Sequence, residues 1–236
     1  MDIYTGIEKR LQEFLLQYHF TIDEMGASPR SIGDKVQEVI TNNFPNICEG
    51  IAKGLNIQFK DRDELSRRAF ADAAFLMGDK YLAFDVKTRN IEAGFHMPNI
   101  KAVERLARFY TSNTNTLVII SADYQLNLKD QAMPIIFHKV IVAPIEQVSW
   151  RCLRFGKLGY GLVQVEPNQP IIIDRKQSRE EWMKIFFNKL RLFYEDELKK
   201  SEAMVEWAKD CEVLCDKGQI HKLPKLRSYI KRKQIR

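Results

Sequence analysis

The chain has 236 residues, 45% of them hydrophobic and 29% charged, the balance of an ordinary globular protein. That length can bury a sizeable core and fits one domain, or one domain with an appendage. No apolar run approaches the roughly 18 residues of a membrane span, so a helical membrane protein is excluded and no membrane partner is expected. The formal charge of +6 is local: residues 217–236 hold eight Lys or Arg and no acid, leaving the other 216 residues at −2. Such a tail suits a polyanion, although a solvated charge run is also consistent with it. The four cysteines (Cys48, Cys152, Cys211, Cys215) have no framework spacing, which points to a reduced, intracellular protein. Cys211 and Cys215 lie one helical turn apart near His221, but a zinc site there lacks a fourth ligand, so buried thiols on a helix face are expected.

In chain order, MDIYTGIEKRLQEF begins an amphipathic helix, not a signal peptide. Ile3, Ile7, Leu11, Phe14, Leu15 and Tyr18 form its apolar stripe over residues 3–18. Pro29 can start a second helix with Val36, Val39, Ile40 and Phe44 inward and Glu38 beside the stripe. Asn43-Phe44-Pro45 reads as punctuation before a short helix carrying Ile47, Ile51 and Leu55. Asp61–Arg68 reads as a charged surface loop or helix end. Ile100, Val103, Leu106, Ala107 and Tyr110 give a helical stripe, Thr116–Ile120 a buried strand, and residues 135–143 another strand, with His138 read as structural. Strands at Arg151–Phe155 and Leu162–Val165 flank the glycine-rich turn Gly156–Gly161, which lacks the ending of a phosphate-binding P-loop. Ser178 and Glu181 form a capping box for a helix reaching Leu198, and another helix covers residues 202–215. The layout expected is a single domain over residues 1–216 and a basic tail over 217–236.

Residues 72–90, DAAFLMGDKYLAFDVKTRN, are the most informative stretch. Gly78-Asp79 between two apolar runs fits a two-residue type II′ hairpin, which pairs Met77 with Lys80 and sets Asp72 opposite Asp85. Opposed residues on one face have Cβ atoms roughly 5 Å apart, and like charges there repel. Lys87 follows Asp85 by two and shares its face. A divalent cation would resolve the repulsion, and two carboxylates with carbonyl oxygens are hard ligands suited to Mg²⁺. A surface hairpin with a Lys87–aspartate salt bridge is the competing reading. Two further acid-x-Lys triplets, Asp174-Arg175-Lys176 and Glu197-Leu198-Lys199, have no opposed acid.

The pattern Ala71-Asp72, Asp85-Val86-Lys87-Thr88-Arg89-Asn90-Ile91, Phe95 and Pro98-Asn99-Ile100, followed far downstream by Arg179-Glu180-Glu181-Trp182, resembles the PD-(D/E)xK nucleases, within them the EcoRV-like type II restriction endonucleases. The resemblance spans about residues 30–195, and the proline that commonly precedes the first aspartate is Ala71 here. It implies an α/β fold with a restriction-endonuclease-like core, a mixed β-sheet flanked by helices, and a C-terminal helical basic extension. It implies that Asp72 and Asp85 bind Mg²⁺ with the Val86 carbonyl, and that Lys87 activates water for cleavage leaving 5′-phosphate ends. DNA contacts are implied for Arg89, Asn99, Lys157, Tyr160 and Gln164, the last three around a turn similar to the group's DNA-reading segment. The resemblance further implies a homodimer on a short palindromic site in double-stranded DNA, in the cytoplasm of a prokaryote. The N-terminal helices (residues 1–55) are the expected dimer contact. Within the superfamily the alternative is a repair or structure-specific nuclease; outside it, a non-catalytic DNA-binding protein.

Overall fold

The computed structural model describes residues 2–20, 29–52, 57–59, 70–127, 135–157, 159, 161–222, 224–226 and 228–230. The helices are α1 (Ile3–Gln17), α2 (Pro29–Ala52), α3 (Val103–Phe109) and α4 (Arg179–Asp216). The strands are β1 (Ile57–Phe59), β2 (Ala73–Met77), β3 (Lys80–Asn90), β4 (Asn99–Ala102), β5 (Asn115–Leu126), β6 (Ile135–Pro144), β7 (Leu153–Gly156) and β8 (Leu162–Val165). One mixed sheet runs β1-β2-β3-β5-β6 and a smaller antiparallel one β4-β8-β7. β3 and β5 are parallel, and their neighbours pair antiparallel. Among the described residues no helix is long and apolar enough to cross a membrane.

One face of the large sheet presents Phe84, Val86, Val118, Ile120 and Val142 to α1 and α2, which bury Leu11, Leu15, Val36, Ile40 and Phe44 in the same cluster. The alternate positions of the central strands, Ala83, Asp85, Leu117 and Ile119, are also buried. Burial on both faces is why β5 carries the unalternating apolar run Leu117–Ile120. α1 also caps the edge of the sheet: Val142 on edge strand β6 donates its N–H to Glu8 Oε2 at 2.9 Å.

Several sequence expectations are corrected. α2 runs unbroken through Pro45, where punctuation was expected. A proline inside a helix costs about 3 kcal/mol through a lost hydrogen bond and a clash. The apolar stripe continues past it as Ile47 and Cys48, both buried, and burying residues of that kind contributes about 1.5–3 kcal/mol each. The two helices expected over residues 178–215 are one. The junction has no Gly or Pro, the Ser201 hydroxyl donates to the Glu197 carbonyl, and Lys200 pairs with Asp196 and Glu197. The capping box at its start is present: Ser178 N–H donates to Glu181 Oε2 (3.0 Å) and Glu181 N–H to Ser178 Oγ (3.2 Å). Cys211 is half-buried and Cys215 exposed, so they are not core thiols; Cys48 and Cys152 are. The charged stretch Asp61–Arg68 lies outside the described residues.

The chain divides into two compact units, residues 1–182 and 183–236, whereas the sequence suggested a boundary after residue 216. Within the second unit the start of the basic tail is tied to the helix. Trp207 Nε1 donates to the Pro224 carbonyl at 2.7 Å, and the Tyr229 hydroxyl donates to Asp210 Oδ2 at 2.6 Å.

Candidate active site

The β2–β3 hairpin has the register that its turn demanded: Met77 pairs with Lys80 and Ala73 with Phe84. Gly78 takes φ 62° while Asp79 stays at negative φ, as a type II′ turn requires. Asp72, one residue before β2, donates its N–H at 2.8 Å to the carbonyl of Phe84, the residue already paired with Ala73, so the regular ladder ends there and does not set Asp72 directly opposite Asp85 as the turn alone would. Asp72 nonetheless lies near enough for the charge of Asp85 to act on it, and its Oδ2 accepts the Val86 N–H at 2.7 Å.

The carboxylate of Asp85 is 1% exposed and lies between two ammonium groups. Lys87 Nζ is 2.8 Å from Oδ2, and Lys101 Nζ is 2.5 Å from Oδ1. The second lysine was not foreseen. It comes from β4, sixteen residues on, where a register irregularity between Asn99 and Lys101 in the pairing with β8 re-aims the strand. Its ammonium sits 5.5 Å from the Phe70 ring centroid, and Phe70 is itself stacked on Phe109 at 4.2 Å. No local sequence signal marks Lys101, because its position depends on a bulge and on one sheet meeting another.

This arrangement corrects part of the spacing argument. The repulsion between Asp72 and Asp85 is answered by two lysines, so repulsion alone does not require a cation. The donor chemistry nevertheless suits one. Asp85 Oδ2 is buried without a hydrogen bond, since Lys87 lies close but outside bonding geometry. Asp72, Asp85 and the Val86 carbonyl are hard oxygens of the kind Mg²⁺ takes alongside water and substrate phosphate. Among the described residues no three His, Cys, Asp or Glu side chains gather as a metal cluster.

Burial, and then the charge of Asp85, raise the Asp72 pKa above the usual carboxylate value; the Val86 N–H, Lys87 and Lys101 oppose that rise. A carboxyl that holds its proton more tightly when folded stabilises the fold at low pH. That contribution disappears as pH climbs from the unfolded value, roughly 4, through the raised one. Asp72→Asn should therefore melt higher than the wild type at neutral pH, with the gap closing in acid. Melting curves at the two pH values check this, and identical curves throughout would contradict it.

A cleft of about 640 Å³ opens beside Lys87, between α2, β3 and the loop before β4. Gly33, Asp34 and Gln37 line it from α2, and His96, Pro98 and Asn99 from the loop. Phe95, 66% exposed, stands at the same lining. Burial and the nearby Arg89 guanidinium lower the His96 pKa, so its ring favours the neutral form. Glu38 does not line the cleft; it is exposed and pairs with Lys35 at 3.3 Å.

The residues read as DNA contacts scatter. Asn99 is at the cleft, and its Oδ1 accepts from Gln164 Nε2 at 2.6 Å, so those two are neighbours. Gln164 is buried and packs over Gly156, where an added Cβ would come within 2.1 Å of its Oε1. Arg89 is engaged inside the sheet, with Nε 2.9 Å from Asp123 Oδ1 and Nη2 2.5 Å from Oδ2. Lys157 is exposed after β7, and Tyr160 lies outside the described residues. His138 is exposed and bonds Gln125 Oε1 at 3.1 Å.

The downstream motif Arg179–Trp182 is structural in its contacts. Arg179 donates to Glu146 Oε1 (3.0 Å), the Asn113 and Asn115 carbonyls (2.8 and 2.7 Å) and Thr116 Oγ1 (3.0 Å). Trp182 Nε1 donates to the Val148 carbonyl at 2.9 Å, and its ring lies 4.9 Å from that of Trp150. Arg179 thus fixes the start of β5, the parallel neighbour of the strand bearing Asp85. No protein-family model and no curated protein matches the chain.

Proposed function

We propose that the protein is a Mg²⁺-dependent, sequence-specific endonuclease of a type II restriction–modification system, with a PD-(D/E)xK centre in a restriction-endonuclease-like core. One observation carries this reading: Asp72 and Asp85 come together at the end of a hairpin, Asp72 accepting the Val86 N–H, with Lys87 Nζ 2.8 Å from Asp85 and lining a cleft. The order hairpin, helix, parallel strand and the mixed central sheet suit such a core.

In this reading Asp72, Asp85 and the Val86 carbonyl hold Mg²⁺, which when bound offsets charge on the phosphate and lowers the pKa of water. Lys87, an ammonium beside Asp85, orients the attacking water and offsets charge building on the phosphate, while the water's proton leaves to solvent and solvent protonates the departing 3′ oxygen. The water oxygen bonds to phosphorus in line with the 3′ oxygen, the P–O3′ bond breaks, and the products carry a 3′-hydroxyl and a 5′-phosphate. Arg89 is paired with Asp123 across β3 and β5, and in this reading it braces the strand that carries Asp85. Asn99 is the polar group of the smaller sheet best placed to meet DNA, with Gln164 holding its amide.

Cutting both strands at a palindrome takes two centres, so the active species is a homodimer. The apolar stripes of α1 and α2 are spent in the chain's own core, which leaves their outward faces, with Leu16 exposed, for a dimer contact. Digestion of a fully mapped plasmid with Mg²⁺, followed by sequencing of the ends, tests the proposal. Cuts at one short sequence with 5′-phosphates are expected. Nicks confined to mismatches or junctions would instead assign a repair enzyme.

A further inference from the structure

Two ammonium groups on one buried carboxylate are more than a single catalytic lysine needs. Resting on the nuclease reading, we propose that Lys101 makes cation binding at this centre conditional on DNA. Its ammonium holds Asp85 Oδ1, an oxygen a cation needs, until a phosphodiester offers it another anionic partner.

The charge arithmetic supports this. Asp72 and Asp85, when ionised, carry two negative charges, and Lys87 and Lys101 carry two positive ones, so the set is already neutral. A divalent ion entering a neutral set gains little net attraction and meets two ammonium groups at close range, where partial burial screens charges weakly. A scissile phosphate changes the balance by adding negative charge and by giving a lysine somewhere else to point.

Lys101, more than Lys87, has the features of a placeholder. It makes a hydrogen bond to Asp85, whereas the 2.8 Å approach of Lys87 leaves Oδ2 without one. Lys101 is only 13% exposed and lies against the Phe70 ring, so it is held in place on Asp85. It also arrives from β4, two residues after Asn99, which lines the cleft beside Lys87 and is the group best placed to meet DNA. Duplex contact at that strand therefore acts on the lysine that blocks the cation.

The test is calorimetric titration of Ca²⁺, which suits Mg²⁺-type oxygen sites, into the full chain with and without duplex DNA. The wild type is expected to bind Ca²⁺ weakly alone and more tightly with duplex. Lys101→Met should bind it alone with an affinity raised on the order of tenfold or more. Lys101→Arg, which keeps the charge, should behave as the wild type. By reciprocity, Ca²⁺ should strengthen duplex binding less in Lys101→Met than in the wild type. Melting curves establish that each variant is folded, and Lys101→Gln replaces the Met variant if that one is not. Equal or weaker Ca²⁺ binding by the folded neutral variant without DNA would overturn the inference and leave the nuclease reading standing. Absence of Ca²⁺ binding in every form, with and without duplex, would remove the nuclease reading itself.

Discussion

Lys87→Ala should all but abolish strand cleavage, a loss on the order of 10²–10³-fold for removal of a preorganised cation that orients the attacking water and offsets charge on the phosphate. Duplex binding should survive, because the variant leaves Asp85 with Lys101 at 2.5 Å and the hairpin ladder intact. Single-turnover cleavage and equilibrium binding measured on the same preparation separate the two effects. Cleavage near the wild-type rate would remove Lys87 from the mechanism.

Asp85→Ala should act on both function and fold. Cleavage should vanish at every Mg²⁺ concentration, because half of the protein's acidic ligand set is gone. Stability should also fall, since Lys87 and Lys101, 18% and 13% exposed, are left facing each other without their shared counter-ion. Removing one partner of a buried ion pair typically costs about 3–5 kcal/mol. The lower end of that range is expected here because the lysines keep some access to water. A Mg²⁺ titration of cleavage and a denaturant melt measure the two losses, and an unchanged titration curve would sink the metal assignment.

The hairpin was legible because its determinants are local. A glycine that accepts positive φ fixes the turn, the turn fixes the register, and the strand period then puts Asp85 and Lys87 on one face, with Asp72 beside them where the ladder ends. The helices of the first layer were legible for the same reason, through their apolar stripes. Pro45 misled because a local rule was outweighed by packing on both sides of it. Two helices were expected over residues 178–215, and ion pairs with unbroken helix formers carry a single one through.

What the sequence did not disclose depends on elements meeting at long range. Lys101 reaches Asp85 through a bulge, and Asp123 takes Arg89 by lying opposite it on a parallel strand. Glu146 becomes the counter-ion of Arg179 from 33 residues away. Two of these three change the chemistry assigned to the centre. Asp85 has two cationic partners, not one, and Arg89 is paired with Asp123.

The most direct measurement is digestion of a large, fully sequenced duplex DNA by the full chain, in EDTA and then with Mg²⁺ restored. The account predicts intact DNA in EDTA. With Mg²⁺ it predicts a discrete set of fragments sharing one short sequence at their 5′-phosphorylated ends, lost in Asp85→Ala. Intact DNA at every Mg²⁺ concentration, or cutting that persists in EDTA or in Asp85→Ala, would contradict it.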